Sequence, residues 1–501
     1  MFNAAKSFIR RGLAKLGLLK SLEKVTDYEG ITQNEVMFDY ISKWRQLYHG
    51  YYKEFHELQY FTLDGYKKRD MESMNIEKVI SNEMASLIYN ENCEINISDE
   101  RIQAFVDEVL KDNKFDKNFQ ENLEYMFAMG GMAIKPYVDN DKIRLSFIKA
   151  DSIIPLSWRN GMIYEYLLPN TYQERGRSFT HLEIHKWKNE DIYEVRHELY
   201  EANPHVKDEI GVKVGLSQSV VTESLAPVTQ ITGIKRSIPV YFKPNIANNK
   251  DMDSPLGISL YANALSTIKQ LDTAFDSLHR EFRLGKKRII VPSQFITTVT
   301  NPLTNETARY FDTSDESYES YPSDTTDSNK ITDISVELRV EEHVKAINFL
   351  LNILASQTGF SQGAFSFDGA ESVKTATEVI SQNSKTFKSK KSHENIIEEG
   401  LRELIGSIVT LAELYGILSD VPEYEVNIKF DDSVTEDIDK DIDRQIKIAS
   451  SGLQPMYLAI MNIHKISEEE AKAMLNEIKA EQRATLTQDQ LQTATFGTLE
   501  Y

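Results

Sequence analysis

Apolar side chains recur at helical spacing along some stretches of the chain and alternate with polar ones along others, and the two patterns predict different elements. Over residues 75–90 (NIEKVISNEMASLIYN), Ile76, Val79, Ile80, Met84, Leu87 and Ile88 fall on one side of a helix. Residues 34–60 carry Phe38, Tyr40, Trp44, Tyr48, Tyr51, Tyr52, Phe55 and Tyr60 at a spacing that suits a helix packed into a core. Two shorter helices are predicted within 101–128. Around 133–200 the pattern changes. KPYV, KIRLSFI, MIYEYLL, HLEIHKW and IYEVRHELY read as strands separated by Asn, Asp and Gly. An antiparallel sheet with helices on one side is expected, which makes the fold class α+β.

Residues 204–250 read as loop and short strands. Asp253, Ser254 and Pro255 then form a helix start, and a long helix is predicted from Gly257 to about Gly285. Tyr261, Leu265, Ile268, Leu271, Phe275, Leu278 and Phe282 give it one apolar face over its whole length, about 43 Å at 1.5 Å per residue. That face must pack on another long helix or on a neighbouring subunit. A basic cluster of Arg280, Arg283, Lys286, Lys287 and Arg288 closes it, partly complementing the negative end of the helix dipole.

After RIIVP comes a polar, acidic excursion to about residue 337, which reads as a surface loop or a small β module. A second helix over 338–357 carries Val340, Val344, Ile347, Leu350, Leu351 and Leu354 at helical spacing. Two helices thus bracket a small insert and can lie antiparallel as a hairpin. Gly359, Gly363 and Gly369 occur with Phe360, Phe365 and Phe367 in a segment read as a mobile loop with bulky side chains. A new helix is expected from near Glu371, with Lys374, Lys385, Lys388, Lys390 and Lys391 on a basic side. A helix at about 395–418, a strand at 424–430, an acidic run, helices at about 441–450 and 467–482, and a polar tail at 483–501 complete the chain.

Composition narrows the function. The 501 residues are enough for roughly two to four subdomains. The formal net charge of −20 argues against a uniformly basic DNA-coating surface. A single cysteine, Cys93, excludes an intrachain disulfide framework and a four-cysteine zinc site. No run approaches the roughly 20 apolar residues of a membrane span. Residues 1–24 form a basic amphipathic stretch without the apolar core of a secretory signal. Three readings stay open for it: a surface-docking arm, a membrane-surface helix, or a frayed terminus.

Motifs for catalysis are few. There is no GxxxxGK[ST] phosphate loop and no GxSxG elbow. His181 and His185 in HLEIH have i, i+4 spacing, but the acid is misplaced for HExxH and the segment reads as strand; paired surface histidines are the plainer reading. Asp437, Asp439, Asp441 and Asp443 imitate a calcium loop without its glycine and glutamate, so a solvated acidic face or a helix N-terminal turn is expected. No metal, no cofactor and no enzymatic activity are expected.

Four segments carry a family resemblance: IEKVISNEMASLIYNE (76–91); MGGMAIKPYV (129–138) with IKADSIIPLSW (148–158); NIANNKDMDSPLGISLYANALSTIKQLDTAFDSL (245–278); and SFDGAESVKTATEV (366–379). With these the chain resembles portal proteins of tailed bacteriophages, in the branch common among phages of Gram-positive hosts. The resemblance implies a ring of about a dozen copies, each with wing, long-helix stem, small α/β clip and helical crown around a DNA channel. On that pattern 1–30 is a basic arm, 31–252 wing, 253–287 and 338–357 stem, 288–337 clip, and 358–373 tunnel loop. Residues 374–430 hold a long wing-to-crown helix with returning wing elements, and 431–501 the crown and tail.

The tunnel loop would comprise Gly359, Phe360, Gly363, Phe365, Phe367 and Gly369. Leu265, Ile268, Leu271, Phe275, Leu278 and Phe282 would pack the stem, and Arg283, Lys286, Lys287, Lys374, Lys385 and Lys388 are candidates to face DNA. Implied partners are double-stranded DNA without sequence preference, the large terminase, the major capsid and scaffolding proteins, and a head-completion adaptor. The implied location is the virion, with the host cytoplasm during assembly and no stable membrane association. Two other classes remain open: a membrane-surface binder acting through the N-terminal helix, and a metal-dependent nuclease using Asp437 and Asp439.

Overall fold

The computed structural model describes residues 35–62, 65–89, 93–202, 211–285, 337–367, 382–430, 438–464 and 467–480, and the strands at 288–292, 297–300, 307–310, 318–321 and 332–334. The chain divides into two compact units, Met1–Glu371 with Asn383–Phe430, and Ser372–Gln382 with Asp431–Tyr501. Helices and strands both contribute heavily, as the α+β expectation requires.

The larger unit begins with α1 (Glu35–Tyr48), a one-turn α2 (Lys53–His56) and an antiparallel ribbon of β1 (Glu57–Thr62) and β2 (Gly65–Asp70). The aromatic stretch at 34–60 is therefore helix for its first half and strand at its end. Next come α3 (Ile76–Ile88), β3 (Cys93–Ile97), α4 (Glu100–Asp112) and α5 (Phe115–Met129). Asp99 caps α4, its carboxylate accepting the amides of Arg101 and Ile102 at 3.0 Å each.

The strand-rich stretch forms two antiparallel sheets, not one. A three-stranded sheet has the order β12-β4-β5, with β4 (Met132–Asp139), β5 (Lys142–Lys149) and β12 (Val240–Phe242). A six-stranded sheet runs β10-β9-β8-β7-β6, where β6 is Ile154–Arg159, β7 Met162–Glu174, β8 Arg177–Trp187, β9 Ile192–Glu201 and β10 Val212–Val214. Its sixth strand, β11 (Val228–Thr232), also pairs with β9. The core lies where α1, α3 and α5 meet the smaller sheet. Trp44, Phe115, Phe119, Phe127 and Phe242 are fully buried there, and the Phe115 and Phe119 rings stack 4.8 Å apart. Each such ring contributes about 1.5–3 kcal/mol through burial.

The long helix α6 spans Leu265–Leu284, not the stretch from Gly257, so it is about 30 Å long. Asp253, Ser254 and Pro255 do not start it. Ile258, Leu260, Tyr261, Ala262 and Ala264 are all buried; the Ala262 and Ala264 amides close turns on the Ser259 and Tyr261 carbonyls, and the Leu260 amide goes to another element, so no helical ladder forms. The Leu260 amide donates to the Phe127 carbonyl at 2.9 Å, and the Tyr261 hydroxyl to the Trp44 carbonyl at 2.9 Å. Gly257 lies against the backbone of Gly130, where an added Cβ would sit 2.3 Å from the Gly130 oxygen. Thus two of the segments that carry the family resemblance pack directly on each other.

α7 (Val340–Gln357) runs antiparallel to α6 and packs on it. Between them lie strands β13 (Arg288–Pro292), β14 (Thr297–Thr300), β15 (Thr307–Tyr310), β16 (Tyr318–Tyr321) and β17 (Thr332–Ile334). β13 pairs in parallel with β16 and antiparallel with β17, and β14 pairs with β15. The described residues of this insert are strand only. Then α8 (Ser384–Leu414), one helix of 31 residues where a shorter one at 395–418 was expected, lies over β4, β12 and β18 (Val426–Phe430). β18 returns to pair with β3. The helix start expected near Glu371 lies outside the described residues, as do the N-terminal arm and the polar tail.

In the smaller unit α9 (Ile438–Ser450) packs on α10 (Met456–His464), a helix whose nearly all-apolar sequence shows no period. A further helix covers 468–480. Ser467 and Glu470 form a capping box at its start: the Ser467 amide and hydroxyl donate to the Glu470 carboxylate at 3.0 and 2.8 Å.

Candidate functional site

The feature with most functional promise is the α6–α7 hairpin, together with the turn behind it. At its root α6 carries two buried acids one turn apart, Asp272 and Asp276. A helix burying carboxylates on its apolar side needs partners for them. Asp272 accepts the Met74 amide at 2.9 Å and the Ser73 hydroxyl at 3.1 Å. His56 Nε2 lies 3.1 Å from its other oxygen, while His56 Nδ1 accepts the Tyr52 amide at 2.8 Å, leaving Nε2 to donate. Asp276 receives both terminal nitrogens of Arg69, at 2.7 and 2.5 Å, in a bidentate pair that lowers its pKa. The hairpin is thus clamped to the β1–β2 ribbon and the segment after it. No sequence motif singled out these four residues. The available signal was two acids at i, i+4 flanking an apolar stripe.

The far end of the hairpin is closed by Glu281. Arg339 donates to its carboxylate from Nε at 3.1 Å and from a terminal nitrogen at 2.9 Å, holding the Glu281 pKa at about 2. The expected packing face divides along its length. Ile268 and Leu271 are fully buried, Leu265, Phe275 and Leu278 are partly buried, and Phe282 is half exposed. Phe349 on α7 is also exposed, at 66%. Apolar surface is therefore left exposed on both helices of the hairpin. Arg283 is exposed at this end, and Lys286 and Lys287 lie outside the described residues.

In the turn behind α7 the bulky side chains divide between core and surface. Phe360 is 1% exposed and packs edge-on against Phe365 at 4.9 Å, so it is a core residue; Phe367 is exposed. Gly359 has φ +86°, and a Cβ there would meet the Ser389 hydroxyl at 2.4 Å. The Ser361 amide donates to Thr386 Oγ1 at 2.8 Å, and the Gly363 amide to Asn352 Oδ1 at 2.7 Å. The Phe367 amide donates to Asn348 Oδ1 at 3.1 Å. Residues 358–367 are thereby tied to both α7 and α8. Gly369 and Lys374 lie outside the described residues. Lys388 is exposed, and Lys385 donates to the Ser356 carbonyl at 2.6 Å. Lys390, expected on the basic side, is buried instead and pairs with Glu394 at 3.0 Å.

The two histidines of HLEIH are not on the surface. His181, Glu183 and His185 share one face of β8, with His197 opposite Glu183 on β9. They line a cavity of about 560 Å³ with Lys135 and Asn170. His181 Nε2 lies 3.1 Å from His197 Nδ1, and burial pushes the His181 pKa down to about 4. His185 hydrogen-bonds Glu183 at 2.8 Å. Burial works to raise the Glu183 pKa, but the Lys135 charge and the His185 hydrogen bond hold it well below the usual value. Among the described residues no three His, Cys, Asp or Glu side chains converge as a metal site. Residues 439, 441 and 443 lie on helix α9, a backbone that cannot wrap an ion as a calcium loop does; Asp437 lies outside the described residues. No helix among the described residues is long and apolar enough to cross a membrane.

No curated protein matches the chain. The family model for phage portal proteins of the SPP1 Gp6-like type matches residues 28–484 of the 501, including the hairpin, its insert and the turn behind it, and the chain therefore belongs to that family of phage portal proteins.

Proposed function

We propose that the chain is one subunit of a ring at a single vertex of a phage head, through which double-stranded DNA enters and later leaves. The family match over 28–484 carries this reading. On it α6 and α7 are the stem, β13–β17 belong to the clip at 288–337, and the turn from 358 begins the tunnel loop. Residues 31–252 form most of the wing, and 431–501 the crown. The ring would nucleate head assembly, dock the terminase motor at the clip during packaging, and then hold the head-completion proteins.

The chemistry suits a conduit. A channel must let DNA slide, so strong binding at any one phosphate register would stall it. A net charge of −20 per chain, repeated around a ring, repels the duplex from the wall. A few exposed cations such as Arg283 and Lys388 relieve that repulsion locally, and phosphate contacts carry no sequence preference. The exposed Phe282 and Phe349 on the hairpin are natural contacts for the next subunit's stem. The test is native mass spectrometry of the purified chain. The expected result is a closed oligomer of one defined size; a monomer at every concentration would overturn the proposal.

A further inference from the structure

The α6–α7 hairpin carries charges of opposite sign on its two flanks. The helices pack through the stripe of Ile268, Leu271, Phe275 and Leu278 on α6 and that of Ile347, Leu351 and Leu354 on α7. His343, one turn before Ile347, comes within 3.9 Å of Glu281 and marks the same side of α7. Counted round each helix, exposed Arg280 stands roughly 160° from the α6 stripe, and exposed Glu342 roughly 135° from the α7 stripe. Each therefore faces away from the other helix. Arg280 continues the face of Asp272 and Asp276, one turn beyond the Arg69 clamp. Neither Arg280 nor Glu342 has an ion-pair partner among the described residues. The opposite charges they feel are already held, Asp276 by Arg69 and Arg339 by Glu281. The two residues also stand at one level. Arg339 pairs with Glu281 across the hairpin, and counting along the antiparallel helices from that pair puts Glu342 about 3 Å along the axis from Arg280. The helix dipoles favour a cation near the end of α6 and an acid near the start of α7, but they do not require opposite flanks.

We propose that Arg280 of one subunit pairs with Glu342 of the next subunit, an ion pair between neighbouring hairpins that fixes their register. The inference rests on the oligomeric reading above and names the polar part of that contact. Geometry selects a second copy as the occupant. Rotation about a ring axis leaves every residue's height unchanged, so two residues of hairpins standing side by side meet head to tail when they share a level and lie on opposite flanks. Arg280 and Glu342 satisfy both conditions, and their signs are complementary. Phe349 lies on the Glu342 flank, seven residues on, and is 66% exposed, so the same contact has apolar surface to bury. Duplex DNA would suit Arg280 but not Glu342, because DNA affinity comes from cations facing phosphates. One exposed ion pair contributes little. Repeated at every interface, its reversal sets like charges face to face all round the ring.

The experiment uses the full chain in four forms: wild type, Arg280→Glu, Glu342→Lys, and the two substitutions together. Both positions are exposed, so the unfolding midpoints of the four monomers should agree closely. Assembly is followed against concentration by sedimentation velocity at low salt. The expected result is that each single variant needs a roughly tenfold or more higher concentration to assemble, and that the double variant, with the charges exchanged, returns near the wild-type concentration. A wild type that never assembles overturns the proposed function, and this inference with it. A wild type that assembles, alongside single variants that assemble equally well, overturns this inference alone. So does a double variant no better than the worse single one, which would leave both charges with a role inside their own helices. Equal assembly by all four forms, with duplex DNA binding weakened by Arg280→Glu alone, would give that residue to the channel and also overturn it.

Discussion

Glu77 lies in the first turn of α3 with its side chain 1% exposed, and neither carboxyl oxygen has a hydrogen-bond partner among the described residues. A helix N-terminus favours an ionised acid, but burial dominates and nearby Asp272 adds to it, so the Glu77 pKa is pushed up to about 8. An unfolded glutamate titrates near about 4.3. Between those values the folded chain keeps a proton that the unfolded chain has released, so stability falls as pH rises. At about 1.4 kcal/mol per tenfold change in proton affinity, on the order of 5 kcal/mol present below pH 4 is lost by pH 8. Glu77→Gln removes this proton linkage while keeping the shape. Thermal unfolding of both proteins from pH 5 to pH 8.5 should show midpoints that nearly coincide at the acid end, with the variant increasingly more stable toward the alkaline end. A gap between the two that does not change with pH would refute the reasoning and mean that Glu77 is solvated and ionised.

Other outcomes follow from the hairpin and the turn. Asp276→Ala leaves Arg69 without its bidentate partner and should cost about 3 kcal/mol, read as a lower unfolding midpoint. Phe360→Ala should cost about 3–5 kcal/mol through the cavity it opens, whereas Phe367→Ala should leave stability unchanged; equal small effects would return Phe360 to the surface. Gly359→Ala combines a positive φ with the Ser389 collision and should cost about 1–3 kcal/mol in the same assay, and pairing it with Ser389→Ala should recover only part. If the basic end of α6 serves the channel, neutralising Arg283, Lys286 and Lys287 together should lower the DNA retained per head after nuclease treatment while assembly proceeds. Unchanged packaging would leave these residues as balance for the helix end.

Much of this architecture is legible in the sequence because the deciding signals are local. Ile76 to Ile88 and Val340 to Gln357 have a clear helical period, and the strands from Met132 to Glu201 alternate between turns built on Asn, Asp and Gly. The errors arise where tertiary packing overrides the pattern. Tyr261 sits in phase with the stripe on α6, yet the Leu260 amide bonds the Phe127 carbonyl, the Ala262 and Ala264 amides close tight turns, and Gly257 is there for contact with Gly130, so the helix begins at Leu265. His181 and His185 look like surface residues because His is usually polar and exposed; their buried surroundings include His197 on β9 and Lys135 from another sheet, which no local window contains. The clamp of His56 and Arg69 on Asp272 and Asp276 spans some 200 residues of sequence and is equally invisible from either end. Phe360 and Phe367 have the same local context, and only the fold distinguishes the buried ring from the exposed one.

The central claim is that copies of this chain form a closed ring whose α6–α7 hairpins surround a channel for DNA. Electron cryo-microscopy of the purified assembly tests it most directly. The expected result is closed rings of one rotational symmetry, with α6 and α7 of every subunit arranged around a central opening wide enough for a duplex. Open or irregular assemblies, or rings whose hairpins point away from the central opening, would contradict it.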